Sequence, residues 1–207
     1  SWSEQRVVDT VVTTNEQPLR DGFGRGSGAI VALPHMANWD LAGAWACLTG
    51  MPVTTVAERL RPESLYNRFV DYRRQLGMDV IALTGAGNPL GLLRDALRQG
   101  RLICLLSDRD LTGSGVEVDL LGERARLPGG PAALARMTGA PLVAASLRYS
   151  GPLLRIDFSD PVSTVSGAGG VAAMTQQMAD WFTDGIRRSP EDWHMLQQVF
   201  TADLRPA

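Results

Sequence analysis

The sequence predicts an α/β fold in which one largely parallel central sheet is covered by helices on both faces. Two observations support this prediction. Short apolar or β-branched runs alternate along the chain with longer segments of helical periodicity, and the boundaries between them fall at Gly, Pro and Asn residues. Such alternation is typical of parallel sheets whose strands are joined by helices.

The first half of the chain alternates regularly between the two kinds of segment. We predict strands at 28–34, 52–58 and 79–84 and helices at 38–50, 64–77 and 88–100. Asn38 suits the N-cap of the first helix and Gly50 its end. One face of the helix at 64–77 carries four apolar residues, which are Leu65, Phe69, Tyr72 and Leu76.

The second half continues the pattern and leaves one segment open. We predict strands at 101–108, 141–149 and 153–162, and helices at 128–139 and 170–190, the last ended by Pro190. Segment 115–122 fits either an edge strand or a loop. We expect residues 1–207 to form a single domain. The chain starts at Ser1 and not at Met, so a preceding N-terminal region stays an open alternative.

Composition excludes several classes of protein. The net charge is -2 with 20 basic and 22 acidic residues, so the basic excess of a nucleic-acid binder is absent. Lys is absent too; the arginines fit a high-GC genome and also supply forked donors for phosphate and carboxylate. Cys47 and Cys104 lie in apolar segments and are expected to be free thiols. No apolar run of 18 or more residues predicts a membrane span.

Polar residues follow three of the predicted strands. His35, Glu58 and Asp108 each stand at the carboxyl end of a strand. In open α/β sheets the site lies outside these ends. The sequence therefore predicts that the three side chains converge on one edge of the sheet.

The segment HMANWD contains the main candidate for catalysis. On one continuous helix His35 and Asp40 would lie about 140° apart, so the pair requires a turn between strand and helix. We predict that His35 sits on the turn and that the Asp40 carboxylate reaches back to the imidazole. That contact would fix the tautomer and leave the other nitrogen to deprotonate a hydroxyl attacking an acyl carbonyl. The alternative is a His that satisfies a local turn and an Asp40 that only complements the helix dipole.

The same segment resembles a known family. ALPHMANWDLAG contains the H-x-x-x-x-D motif of glycerolipid acyltransferases. More closely, it resembles the branch of bacterial lipid A late acyltransferases and actinobacterial phosphatidylinositol mannoside acyltransferases. The lipid A enzymes usually carry H-x-x-N-W-E here, so Asp40 favours the mannoside branch. The resemblance covers most of the chain from about residue 28 onward and includes GRLICLLSDRD, RLPGGPAALA and SPEDWHMLQQVF.

The resemblance implies an enzyme without cofactor or metal. Such proteins move an acyl chain from a thioester, usually acyl-CoA, to a lipid hydroxyl at the cytoplasmic face of the inner membrane. We therefore expect a peripheral membrane protein that acylates the mannose of a phosphatidylinositol mannoside, with palmitoyl as the acyl group. A lipid A precursor is the alternative acceptor. No residue type in the sequence indicates the length of the acyl pocket.

The resemblance also assigns the remaining polar positions. It places Glu58 and Arg73 at the acceptor pocket; the alternatives are an exposed Glu58 paired with Arg59 or Arg61, and a solvated Arg73 beside Arg74. In the SDRD block Asp108 is preferred over Asp110 as the acid that organises the site.

Further candidates lie outside these positions. Glu117 is a third candidate for the organising acid. Arg109 suits either donor phosphates or an ion pair with Asp110. Arg124 and Arg126 precede the Gly-Gly-Pro start of a helix, which suits an anion or an oxyanion or is an ordinary helix start.

The C-terminal region is interpreted as structural. We predict that His194 belongs to an amphipathic C-terminal helix, and that Trp181 and Trp193 pack in the core.

Three other classes compete with the acyltransferase. An α/β hydrolase requires a G-x-S-x-G elbow between a strand and a helix, and none is present. A nucleotide-binding module is disfavoured because GFGRGSG precedes the first predicted strand and does not follow it. A non-catalytic lipid-binding protein would tolerate replacement of His35.

Overall fold

The computed structural model describes residues 2–59, 61–83, 87–110 and 113–204. Within these residues there are seven α-helices: α1 Glu4–Thr10, α2 Gln17–Gly24, α3 Trp39–Leu48, α4 Glu63–Gln75, α5 Pro89–Arg98, α6 Gly130–Thr138 and α7 Gly170–Arg188. A 3₁₀ helix follows at Pro190–Asp192. The same residues form nine strands: β1 Val11–Thr14, β2 Ala29–Leu33, β3 Val53–Ala57, β4 Asp79–Ala82, β5 Leu102–Leu106, β6 Val116–Leu120, β7 Glu123–Leu127, β8 Leu142–Ser150 and β9 Leu153–Phe158.

Seven strands form one mostly parallel sheet in the order β1-β9-β8-β2-β5-β3-β4. Neighbouring strands run parallel except for the pair β8–β9. Helices cover both faces, and the predicted fold class is confirmed. All five residues of β2 are buried, as expected for a central strand with both faces covered.

The sequence of β2 and its flanks explains its central position. The run Ala29–Leu33 has no polar side chain to place on either face, so burial on both sides is favourable. Gly28 precedes it with a φ of +63°, and a Cβ there would lie 2.4 Å from the Arg101 carbonyl oxygen. Glycine is therefore required where the chain enters β2 beside the start of β5.

Two regions contain elements that the sequence did not predict, the N-terminal segment and β7. Helices α1 and α2 and strand β1 were not predicted, and β1 extends the sheet by pairing with β9. The open segment at 115–122 forms β6, which pairs with β7 in a separate two-stranded antiparallel sheet. Thr84, the last residue of the predicted strand at 79–84, lies outside the described residues.

Most of the apolar face of α4 is exposed and does not pack on the core. Leu65, Phe69 and Tyr72 are 39%, 41% and 49% exposed, and Val70 is the residue that α4 buries. No helix of the described residues is both long and apolar enough to cross a bilayer.

Candidate active site

His35 lies just past the carboxyl end of β2, on the turn that leads into α3. Its Nδ1 is 2.6 Å from Oδ1 of Asp108, and its backbone N–H donates to Oδ2 of the same carboxylate at 2.8 Å. The Asp108 side chain is fully buried, whereas the His35 side chain is 24% exposed. A buried carboxylate needs such donors to replace the water it has lost.

The strand register explains this contact. Leu33 of β2 is paired with Leu106 of β5. His35 follows Leu33 by two residues and Asp108 follows Leu106 by two, so the two side chains lie side by side at the carboxyl ends of these parallel strands. The prediction that Asp40 holds the imidazole of His35 is therefore wrong, because the carboxylate that holds it is Asp108. The neighbouring strand supplies the carboxylate, and the following helix does not.

Asp40 instead holds an arginine. Its Oδ1 accepts a hydrogen bond from Nε of Arg73 at 2.7 Å, and the two side chains are 20% and 16% exposed. Asp40 lies in the first turn of α3, where a carboxylate also interacts well with the helix dipole. The alternative of a solvated Arg73 beside Arg74 is excluded by this contact.

The contact with Asp108 determines which imidazole nitrogen is available. An ionised Asp108 accepts a hydrogen bond from Nδ1–H of His35, so Nε2 carries the lone pair. The ring of Trp39 packs edge-on against the imidazole with 5.4 Å between centroids. His35 is thus held in one orientation by a buried acid on one side and an aromatic ring on another.

A pocket beside the imidazole brings three predicted residues together. Glu58, Arg73 and Arg109 line it together with His35, and the aromatic residues Tyr66 and Phe69 of α4 line it as well. An amino group of Arg109 lies 3.2 Å from Oε2 of Glu58.

The partner of Glu58 differs from the alternatives considered for it. Within the described residues Glu58 pairs with Arg109, and not with Arg59 or Arg61. Arg59 is hydrogen-bonded to Glu63. Carboxylate and guanidinium groups around one pocket can bind several hydroxyls of a sugar.

Other candidates do not line this pocket. The Asp110 carboxylate accepts the Gly115 backbone N–H at 2.6 Å and lines a second groove with the start of α6. Glu117 lies on β6 and is within 3.5 Å of Arg126 and 3.7 Å of Arg124 on β7. Arg126 lies on this hairpin and does not line the pocket that holds His35, so its predicted substrate contact stays a prediction.

An apolar channel begins at the same pocket. Four residues line both spaces: Trp39, Val56, Arg73 and Leu106. The channel continues between α3 and the sheet and reaches Ala145 on β8 and Phe158 on β9. From β3 to β9 the sheet order gives four inter-strand steps, or ~19 Å at the usual strand spacing.

Cys104 also lines this channel. Burial raises the pKa of the Cys104 thiol to about 12, and burial is likewise the largest cause that raises the pKa of Cys47. Both cysteines are free, as predicted. The described residues contain no group of three or more His, Cys, Asp or Glu side chains arranged to hold a metal ion.

Sequence reasoning missed one residue of the site and misassigned its segment. Trp193 donates its indole N–H to Oδ2 of Asp108 at 2.9 Å, although it was predicted to be a core residue. His194 does not belong to an amphipathic helix: its segment is irregular, its side chain is exposed, and its backbone N–H donates to the His35 carbonyl at 2.7 Å. No local pattern in SPEDWHML indicates these contacts, which are made across the fold.

A histidine–carboxylate pair at the mouth of an apolar channel suits a protein that transfers acyl chains, and the family comparison agrees with it. The chain belongs to the bacterial lipid A biosynthesis acyltransferase family, whose model matches residues 1–202. Curated relatives from two organisms are named phosphatidylinositol mannoside acyltransferase. The chain is 49% identical to that of Mycolicibacterium smegmatis over 187 residues, which cover 90% of this chain and 61% of the relative. It is 48% identical to that of Mycobacterium tuberculosis H37Rv over 200 residues, which cover 96% of this chain and 62% of the relative.

These matches confirm the resemblance that the HMANWD segment carries. The chain spans about three fifths of the length of these relatives, given coverages of 61% and 62%.

Proposed function

We propose that this protein transfers a long fatty acyl chain, palmitoyl, from acyl-CoA to a mannose hydroxyl of a phosphatidylinositol mannoside. The observation that carries the proposal is the His35–Asp108 pair at the point where the polar pocket meets the apolar channel. Acyl transfer to an alcohol requires a base for the hydroxyl and an apolar seat for the chain, and these two features adjoin here.

His35 acts as the general base in this scheme. Its Nε2 takes the proton of the acceptor hydroxyl while the oxygen attacks the thioester carbonyl and forms a tetrahedral intermediate. Collapse of the intermediate breaks the carbon–sulfur bond and releases the CoA thiolate, which recovers the proton from the imidazolium. No group remains attached to the protein, and no cofactor is used.

Asp108 supports the base through charge and geometry. Its carboxylate keeps the proton on Nδ1 and stabilises the imidazolium that forms during attack, as the acid does in Ser-His-Asp triads. Asp40 acts one step further away, because it fixes the Arg73 guanidinium at the edge of the pocket.

The polar pocket is the proposed acceptor site. Glu58 can accept hydrogen bonds from two sugar hydroxyls, and the guanidinium groups of Arg73 and Arg109 can donate to hydroxyls or to a phosphate. Tyr66 and Phe69 line the same pocket and offer apolar faces to a sugar ring. The names of the relatives support a mannoside as the acceptor.

The apolar channel is the proposed seat of the acyl chain. Its lining residues extend over ~19 Å beneath α3, comparable to the length of a long saturated chain, and its volume of about 60 Å³ would have to widen as the chain enters. Its lining is almost entirely aliphatic and aromatic. A palmitoyl chain lying in the channel would leave its thioester near Trp39 and His35, where the channel meets the polar pocket.

The exposed face of α4 is the proposed contact with the inner membrane. Leu65, Phe69 and Tyr72 are spaced by four and three residues, so they form one stripe, and the exposed Arg68 lies on the same side. Phe69 also lines the acceptor pocket, so this stripe adjoins the place where a lipid headgroup would enter. A stripe of this kind suits the interface of a membrane with anionic lipids.

Membrane binding is tested with a double variant, Leu65→Glu with Tyr72→Glu, on vesicles containing phosphatidylinositol. We expect affinity to fall about 10-fold or more, because two apolar side chains are replaced by charges that cannot enter the interface. Met137→Glu changes an equally exposed apolar residue elsewhere and serves as the control. Equal binding of the double variant and the control would remove α4 from the docking surface.

The acceptor assignment has one competitor, a lipid A precursor, which the family description favours. The deciding experiment incubates the full-length protein with palmitoyl-CoA and each acceptor in turn, with products identified by mass spectrometry. We expect acylated phosphatidylinositol mannoside and little acylated lipid A precursor. The reverse preference would transfer the assignment to lipid A, and hydrolysis of the thioester with neither acceptor acylated would contradict both.

A further inference from the structure

We infer that Trp193 is a positioning residue for the base, acting on His35 through the buried Asp108. The inference rests on the proposed function, in which His35 takes the proton of the acceptor. It is carried by one short contact: Trp193 Nε1 lies 2.9 Å from Oδ2 of Asp108. The indole nitrogens of Trp39 and Trp181 are buried without a hydrogen-bond partner in the described structure, so they do not share this role.

The hydrogen bonds at Asp108 show why the indole matters. Oδ1 faces Nδ1 of His35, while Oδ2 accepts both the His35 backbone N–H and the Trp193 indole N–H. The carboxylate is fully buried. Its rotation about the Cβ–Cγ bond is therefore set by two donors on Oδ2, and that rotation aims Oδ1 at the imidazole.

Trp193 reaches the site in a segment that crosses the His35 turn. We call residues 192–194 the crossing segment. The Ala37 backbone N–H donates to the Asp192 carbonyl at 2.8 Å, and the His194 N–H donates to the His35 carbonyl at 2.7 Å. Met36 and Trp193 form an isolated antiparallel bridge between these two contacts.

The crossing segment is itself anchored to the sheet. Asp192 is 8% exposed, and its carboxylate accepts the backbone N–H of Tyr149 on β8 at 2.8 Å. The indole is thus connected to the parallel sheet through β8 and to the His35 turn through backbone hydrogen bonds. This is the kind of supporting shell that holds a catalytic side chain in a productive geometry.

The test removes only the indole N–H. In Trp193→Phe, Oδ2 loses one of its two donors, so the charge of Asp108 is less dispersed and its hydrogen bond from Nδ1–H strengthens. The imidazolium is then favoured more strongly. We expect the acid limb of the kcat/KM pH profile to move to higher pH by roughly 0.5 to 1 unit, the effect of losing part of one charge-assisted hydrogen bond.

The kinetic constants should separate in a defined way. We expect kcat to fall about 10- to 100-fold, since small misplacements of a catalytic group have effects of that size, while KM for the acceptor stays within a factor of about 2. Trp181→Phe is the matched control, because the Trp181 indole nitrogen is buried without a hydrogen-bond partner in the described structure. Its pH profile should coincide with that of the wild type.

The other charged groups near the imidazole are unchanged in both variants. They are Asp40, Glu58, Arg73, Arg109 and, on the crossing segment, His194. If Trp193→Phe does not fold, site-specific replacement of Trp193 by benzothienylalanine keeps the bicyclic shape and removes only the N–H donor.

A second readout does not depend on turnover. The proton NMR signal of His35 Nδ1–H should move downfield in the Trp193 variant and stay in place in Trp181→Phe. An unmoved signal together with an unmoved acid limb would make Trp193 a packing residue and overturn the inference. The proposed function is tested separately by the activity of His35→Ala. If the signal moves in the Trp193 variant but His35→Ala is fully active, the coupling of Trp193, Asp108 and His35 stands and the proposed function is rejected.

Discussion

Replacing Asp108 by Asn tests the role of the buried acid while preserving its shape. The carboxylate meets one donor at Oδ1 and two at Oδ2. An Asn side chain must therefore turn its NH₂ group towards one of these two positions. The outcome decides which tautomer His35 adopts.

The energetic comparison favours one orientation. Turning the NH₂ group towards Trp193 and the His35 backbone would leave two buried donors without an acceptor, at about 1–3 kcal/mol each. Turning it towards His35 instead costs little, because the imidazole can move its proton to Nε2 and accept at Nδ1. We therefore expect the Nε2–H tautomer, which cannot take a proton from the acceptor.

The predicted loss of activity is correspondingly large. We expect kcat to fall about 10³- to 10⁴-fold, within the range for general bases and for Asp→Asn in triads. The assay measures transfer of palmitoyl from CoA to the acceptor, together with ¹⁵N NMR of the imidazole to identify the tautomer.

Asp157→Asn is the control for the loss of a buried carboxylate. Asp157 is 7% exposed, bonds Thr14 and Arg188, and lies on β9, two strands away from β2 in the sheet. It should lower stability and leave kcat nearly unchanged. Retention of a tenth or more of wild-type activity by Asp108→Asn, with an unchanged tautomer, would refute the reasoning.

Three further predictions concern the pocket, the channel and its thiol. Arg73→Ala should reduce transfer to the acceptor about 10-fold or more while changing acceptor-free thioester hydrolysis little, because a charge-assisted hydrogen bond to the acceptor is lost; equal losses in the two assays would assign Arg73 to the donor or the fold. Ala145→Ile should reduce kcat/KM for palmitoyl-CoA more than for octanoyl-CoA, because the side chain at the far part of the channel shortens it; an equal effect on both donors would contradict the channel assignment. Cys104 should react slowly with iodoacetamide at pH 8 in the folded protein and rapidly in urea, and fast labelling of the folded protein would contradict its burial. The free energy of unfolding should also fall as the pH rises above about 9, because the folded state keeps the thiol proton up to a pKa of about 12 whereas the unperturbed thiol loses it near 9.0.

The positions of the strand ends could be predicted from the sequence. Apolar runs such as GAIVALP and RLICLLSD read clearly as buried strands, so His35, Glu58 and Asp108 were correctly expected at one edge. Two of these residues then meet because β2 and β5 are neighbours in the sheet. That neighbour relation depends on strand order, which local periodicity does not contain.

The wrong partner for His35 follows from the same limit. Asp40 is five residues away in sequence and Asp108 is 73, and sequence reasoning favoured the nearer acid. The SDRD block after a fully apolar strand was the available signal for Asp108. Only the register between Leu33 and Leu106 shows that it faces the imidazole.

The contributions of the two ends of the chain could not be read from local patterns. The segment 4–24 forms two helices and an edge strand whose short apolar runs resemble loops until they pack on the sheet. Trp193 similarly reads as a core residue because its N–H donor has a partner that is 85 residues away. Such long-range contacts require the assembled fold.

The most direct test of the central claim is the rate of acyl transfer to the acceptor by His35→Ala, measured beside His194→Ala. The two variants remove the two histidines of the chain one at a time, and the His194 side chain is exposed. With both variants folded, as judged by their thermal unfolding, we expect a loss of about 10²- to 10⁴-fold for His35→Ala and near wild-type transfer for His194→Ala. Retention of more than a tenth of the wild-type rate by His35→Ala would show that this imidazole is not the base.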